Sequence, residues 1–419
     1  MTVKTENLLN NAIFFFFALF LFSSSFSIAL SQASFGLSML LFIILSIMTR
    51  YNPFQPGVRN IYFAIFIFLA WMVVSCLVNK APIGNLREEW LFCIIPVGIF
   101  LFRQKHYRML LASSLAIGVI LVSLYGIVQH FFGINWFKDY PLPPARDDTF
   151  YATGGFSNSM TYGNYLAVAA MFLVSLGILR SKTFLKSLNS VFIFAGVLGL
   201  IGTVLSYSRT AVASLPLGIL ALAWLKGRKW VLVSILILVS SATLTFLFVE
   251  QLSLKYQLAL ERDLAGEHDS SRLFIWKKSL KLTLDNPVFG VGQGNFEKEY
   301  QHYLDSANNE THSRPHAHND ILNFAAVAGF PGAIFFICIW VILFYKLHKI
   351  WHGNNPFSDK QIFAGASAVA GFVFIVASIT EATFADEEVR QILMALWAAG
   401  LWPLVSKNID DDTETDESA

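Results

Sequence analysis

Ser187 to Leu225 reads SLNSVFIFAGVLGLIGTVLSYSRTAVASLPLGILALAWL, a 39-residue stretch in which Arg209 is the only charge. A spanning helix needs roughly 20 mostly apolar residues, so the stretch is two spans long with one turn between them. An arginine stranded at the centre of a span costs roughly 2.5–3.5 kcal/mol. Arg209 therefore belongs at the turn, where the chain doubles back. Apolar helices that cross a membrane in antiparallel succession follow from this reading.

The same pattern extends in both directions. Apolar runs that satisfy the length requirement lie near 11–30, 34–48, 60–78, 89–102, 109–130, 157–179, 187–207, 210–225, 230–250, 319–345, 361–380 and 389–406. The fold expected is an all-α, polytopic membrane helix bundle of about 12 spans. Composition agrees: 55% of the 419 residues are hydrophobic and 14% charged, and the mean hydropathy is +0.56. A soluble globule with an ordinary surface is excluded by those values. A net charge of +2, with no Lys/Arg block, gives no footprint for nucleic acid. Cys76, Cys93 and Cys338 sit in apolar runs without ligand-like spacing and read as small hydrophobes.

In chain order, helices 1–5 occupy 1–130, helices 6–9 with a preceding loop 131–250, a large helical loop 251–318, helices 10–12 319–406, and an acidic tail 407–419. Lys4, an apolar stretch and Ala29–Ala33 resemble a secretory signal, but the apolar part, about 19 residues, is longer than the usual 7–15. Orientation follows from Lys and Arg. With the N-terminus inside, the short inner connections hold sixteen of the thirty, the short outer ones six, and the 251–318 loop the other eight. The positive-inside rule counts only short loops, so both termini are expected in the cytoplasm and 251–318 outside.

Within that loop, Leu273, Trp276, Leu280 and Leu284 recur at helical spacing after Asp269-Ser-Ser271, an N-cap signal, and Asn286-Pro287 stops the run. Such a helix also fits one that lies on the membrane surface. Arg272 at its start would add a guanidinium to the free N–H groups of a helix N-terminus, a cradle suited to phosphate. A surface ion pair with Glu267 or Asp269 is the other reading. Arg209 suits either a phosphate in a membrane-level cavity or an interfacial cation reaching lipid headgroups. His318, in Arg314-Pro-His-Ala-His-Asn-Asp320, stands where the polar loop meets the tenth span, a place for a general base; a helix cap is the alternative. Arg314 belongs to the same run. His312, His316 and His318 are close in sequence, yet the i, i+2 spacing would not share a helix face and no second ligand pair follows, so no metal is expected. Glu381 and Asp386-Glu-Glu388, at the outer end of the eleventh span, suit sugar hydroxyls or a solvated turn. Asn158, closing Gly154-Gly-Phe-Ser-Asn158, and Arg146, in Pro143-Pro-Ala-Arg-Asp-Asp148, are weaker candidates for substrate contact.

The order of these motifs resembles the O-antigen ligase and polymerase family of bacterial inner membranes. The pieces are Gly155-Phe-Ser-Asn158 with Tyr162-Gly-Asn-Tyr165, then Tyr207-Ser-Arg-Thr210, Arg272 through Asp285-Asn-Pro-Val-Phe-Gly290, and His318-Asn319 with Gly329 and Gly332. The last spacing is most like the ligase branch, and the likeness covers roughly 150–385. It implies an inverting, metal-independent glycosyltransferase, without cofactor, acting at the periplasmic face. The donor would be a glycan on undecaprenyl diphosphate and the acceptor a sugar hydroxyl of lipid A–core, with membrane lipids around both. Arg209 and Arg272 would hold the diphosphate and His318 would take the hydroxyl proton. Glu381 falls where ligases commonly carry Asp. An O-antigen polymerase or a protein O-oligosaccharyltransferase would use the same donor. A transporter is the reading from another class, but it would place its polar residues at the midplane rather than at one face.

Overall fold

The computed structural model describes residues 2–145, 148–179, 186–248, 271–304, 313–353 and 357–405. Among them there is no strand beyond one isolated bridge, Pro144 with Phe150. The helices are α1 (Val3–Ser23), α2 (Ile28–Thr49), α3 (Arg59–Val78), α4 (Ile94–Phe102), α5 (Lys105–Phe132), α6 (Ser159–Leu179) and α7 (Lys186–Leu205). They continue with α8 (Arg209–Lys226), α9 (Arg228–Phe248), α10 (Arg272–Asp285), α11 (Phe296–Gln301), α12 (Asp320–Trp351), α13 (Asp359–Ser378) and α14 (Glu387–Leu401).

Among the described residues, nine of these are long and apolar enough to cross a membrane: α1, α2, α3, α5, α6, α7, α8, α12 and α13. The protein is a multi-pass membrane helix bundle. The other three expected spans differ. That at 230–250 corresponds to α9, and its last residues lie outside the described set. The one at 89–102 is a nine-residue helix after a 3₁₀ stretch, Ile83–Cys93. Pro96 has no N–H to donate, so an α-helix running back through Phe92 would lose a bond; α4 starts two residues before the proline instead. The one at 389–406 is α14, 15 residues long, and Pro403 follows its end. The first span also shifts. Ser23, Ser24 and Ser25 turn their hydroxyls back onto carbonyls of the preceding turn, and Ser27 caps α2 by accepting from the Leu30 N–H. The chain thus turns inside the expected 11–30 segment.

The centre of the bundle is α6, of whose span 94% is buried, against 22% for α1. It packs against α7, α8, α13 and α14. Gly196 lets α7 approach α6: a Cβ there would lie 2.4 Å from Val174, the close backbone approach that small residues permit between membrane helices.

One irregularity organises the rest. Helix α12 is broken at Gly329, whose φ of 71° and ψ of 178° are not helical, and Pro331 follows. A break inside a span frees carbonyls that must be satisfied without water. Each is. Ala326 O accepts from the Val291 N–H at 3.0 Å and Val327 O from the Gly292 N–H at 2.8 Å. Val327 O also accepts from Ser75 Oγ, and Ala328 O accepts from Trp71 Nε1, both at 2.8 Å. In return the Phe330 N–H donates to Pro287 O. The segment after α10 and the end of α3 therefore complete the broken helix. The Asn286–Gly290 motif and the Gly329–Gly332 motif are two halves of one contact. A Cβ on Gly329 would sit 2.1 Å from Val288 O, and its backbone region costs other residues of order 1–3 kcal/mol. Gly329→Ala is therefore expected to lower the thermal midpoint of detergent-purified protein by several degrees, as read by fluorescence-detected size exclusion. Gly36→Ala, where a Cβ meets nothing within 4 Å, should leave it unchanged.

Candidate active site

The broken helix α12 begins at the site. His318 lies in the loop just before it, with a left-handed φ of 50°, a conformation that histidine tolerates better than bulkier residues. Its neighbours hold it there. Trp276 Nε1 donates to His318 O at 3.2 Å, and Ala317 N–H donates to Asn323 Oδ1. Asn319 caps α12 by accepting from the Leu322 N–H at 2.8 Å, and its own amide donates to Ile379 O. The histidine's backbone is thus tied to α10, α12 and the end of α13.

Glu381 reaches the same point from the segment between α13 and α14. Its Oε1 lies 2.7 Å from His318 Nδ1, and its Oε2 accepts from Arg272 Nη2 at 2.9 Å. Asp320, at the start of α12, fixes that segment by accepting from the Phe384 N–H and the Thr383 hydroxyl. Glu381 is 5% exposed. Burial alone would push its carboxyl up, but the hydrogen bond from His318 and the electrostatic pull of His318, Arg272 and His316 hold it below the usual carboxylate range. An ionised carboxylate only accepts, so His318 Nδ1 carries the proton and donates to it. The other ring nitrogen, Nε2, is then the basic one.

His316 completes the group, its ring centroid 4.3 Å from that of His318. Its Nδ1 accepts from the His318 N–H, so its proton sits on Nε2, 4.0 Å from Glu381 Oε1. Burial first, then the neighbouring His318, Arg272 and Arg314, lower its pKa from 6.5 to about 4 against the opposing pull of Glu381. The sequence reading separated these two rings because i, i+2 positions diverge on a helix. Here they lie in a loop, where i, i+2 side chains can converge. The ligand atoms of His316, His318 and Glu381 all lie within 4.8 Å of one another, a set that could hold a divalent ion. Arg272 and Arg314 oppose such an ion, since both bring positive charge to the same spot and Arg272 already neutralises Glu381.

The other expected residues divide. Arg272 is the first residue of α10, capped by Ser271, which accepts from the Phe274 N–H; its side chain is 31% exposed. Arg314 is half-buried, and its Nε is buried with no hydrogen-bond partner among the described residues. Arg209 is exposed at the first residue of α8. It is at the same face: Thr210 Oγ1 next to it donates to Asn164 Oδ1 of α6 at 3.5 Å, and Thr161 of α6 donates to Asp386 at 3.1 Å. No direct contact joins Arg209 to His318 or Glu381 among the bonds that define the site. Asn158 is exposed and accepts from the Thr161 N–H at 2.8 Å, which makes it the cap of α6. Arg146 lies outside the described residues, as do His312 and all of 251–270.

The acidic run is not the solvated turn it could have been. Asp386 is pushed up to about 7 by burial and then by Glu388. Glu88, raised to about 7 by burial and its bond to Glu387, pairs with Arg390, which is 3% exposed and also holds Glu89. Sequence reading missed the part of His316 beside the base, and that of Asp320 and Trp276 in holding it. Only Asp320, two residues after His316-Ala-His318 and opening a span, carried a signal, as an acid in a membrane segment.

Residues 194–337 match the family model described as O-antigen ligase. This stretch is a domain of the O-antigen ligase and polymerase family. No curated protein matches the chain. The O-antigen ligase-family segment runs from α7 to just past the break in α12, so it contains Arg209, Arg272, Arg314, His316, His318 and Gly329. Glu381, their anionic partner, comes from beyond it. Families of this type transfer glycosyl groups, and the His–Glu pair with its flanking arginine is chemistry suited to that.

His316 yields a pH test. A folded pKa of about 4 against 6.5 unfolded means that the neutral ring's contribution is intact above pH 6.5 and is lost as pH falls toward 4. Acidification from pH 7 to 5 should lower the thermal midpoint of the wild type more than that of His316→Gln, by scanning fluorimetry in one detergent.

Proposed function

We propose that the chain is an O-antigen ligase: it moves a glycan from undecaprenyl diphosphate to a sugar hydroxyl of lipid A–core at the periplasmic face of the bacterial inner membrane. The observation that carries this reading is the 2.7 Å contact of His318 Nδ1 with a Glu381 carboxylate that Arg272 also holds. A base whose far nitrogen is free of the proton, oriented by an ionised carboxylate, is the arrangement that activates a hydroxyl.

The acceptor oxygen attacks the anomeric carbon with a lone pair, and its proton passes to His318 Nε2. The bond from that carbon to the diphosphate oxygen breaks, and the electron pair leaves with the diphosphate. Glu381 stabilises the imidazolium that forms. Arg272, partly exposed beside it, and Arg314, with a buried Nε, would meet the growing negative charge on the leaving phosphate. At an effective dielectric near 20, one cation 4 Å from a phosphate charge is worth roughly 4 kcal/mol before desolvation. Arg209, at the same face, would hold the diphosphate from the α8 side. Attack from the side opposite the leaving group inverts the anomeric centre. Sixteen of thirty Lys and Arg in alternate short connections support a periplasmic site and cytoplasmic termini.

The experiment that tests the reading is lipopolysaccharide gel electrophoresis of a strain carrying His318→Ala as its sole copy. Loss of a general base typically costs about 10²–10⁴ in rate, so bare core should accumulate together with lipid-linked polymer. Core bearing a single repeat would point to a polymerase instead, and normal glycan-capped core would overturn the base assignment. With purified protein, transfer is expected to persist in excess EDTA. Loss restored by one divalent ion would shift His316, His318 and Glu381 to the role of metal ligands.

A further inference from the structure

A groove opens between α3 and α12 in the half of the bundle away from His318. Its volume is about 540 Å³, within the ~300–1,000 Å³ of small-ligand clefts. Phe63 and Ile67 of α3 face Phe335, Cys338 and Ile342 of α12, and Arg59 stands at one end. The two helices meet elsewhere along their length. Ser75 bonds Val327 O, Trp71 bonds Ala328 O, and the rings of Phe68 and Phe336 are 6.0 Å apart. The groove begins past the break at Gly329, where the second half of α12 runs on in a new direction.

We propose that this groove binds an acyl chain of an anionic phospholipid, with its phosphate against Arg59, in the leaflet opposite the candidate active site. Depth and charge together carry this. Arg59 is the first residue of a 20-residue span, which at 1.5 Å per residue is about as long as the hydrocarbon is thick. Its guanidinium therefore lies at headgroup level, exposed, and a guanidinium pairs phosphate oxygens in bidentate fashion. From there to Ile67 the lining is apolar apart from Asn60 beside the arginine, so the cleft is polar at the interface and greasy inward. That gradient matches one lipid molecule. Lys346, one turn beyond Ile342 on α12 and half-buried, extends the positive rim. A soluble anion would have no use for the apolar walls, and a second copy of the chain would leave the cation without a partner.

Native mass spectrometry of the full chain released from micelles tests this, with phosphatidylglycerol and phosphatidylcholine added in equal amounts. One phosphatidylglycerol per chain should be retained, with a preference of about fivefold, the factor that one interfacial cation brings. Arg59→Ala should abolish the preference. Cys338→Trp, at an exposed lining position, should fill the groove and remove the bound lipid, while monodispersity and the lipid-free thermal midpoint stay as in the wild type. Excess inorganic phosphate should not displace the lipid. Equal retention of both lipids, an unchanged preference in Arg59→Ala, displacement by free phosphate, or a dimer that Cys338→Trp dissolves would each overturn the proposal.

Discussion

A carboxylate removed from water has to be met by cations and donors, and Glu381 is where that demand shapes this protein. His318 and Arg272 answer it from two directions, so three separate parts of the chain meet at one group: the loop before α12, the start of α10 and the turn after α13. Removing either partner would leave an unbalanced buried charge, which costs far more than the pair itself contributes. Asp320 acts one layer out. By bonding the backbone at Phe384 it holds the turn carrying Glu381 against the helix that follows His318.

The second constraint is the backbone inside the bilayer. Because α12 is interrupted, its loose carbonyls recruit Val291, Gly292, Ser75 and Trp71. The same bonds dock the segment after α10, and α10 carries Arg272. The helix break and the ion cluster are thus mechanically linked: the short first part of α12 follows the histidine's loop at one end and carries the docking contact at the other.

Much of this could be read in the sequence. The spans appear as apolar runs because a bilayer leaves no alternative to long helices, and Arg272, His318 and Glu381 stood out as ionisable residues at the ends of those runs. Their joining could not be read, since 109 residues separate Arg272 from Glu381 and no periodicity reports such a distance. Other failures have definite causes. Span lengths at α4 and α14 were misjudged because hydropathy does not register prolines. His316 was set aside by a helical argument applied to a loop. Asn158, read as a substrate contact, is also the cap of α6, a role that a short amide before a helix serves equally. The glycines at 290, 329 and 332 were visible as a pattern, whereas the close packing that demands all three became visible only with the backbone in place.

Five helices begin at the face that carries the cluster: α6, α8, α10, α12 and α14, tied together through Thr161, Thr210, Arg272, Asp320 and Asp386. Each contributes the positive pole of its aligned peptide dipoles, about half an elementary charge. Asp320, Asp386, Glu387 and Glu388 all lie at such starts, so this acid-rich rim is offset by the backbone itself. This face is therefore far less negative than its count of carboxylates suggests.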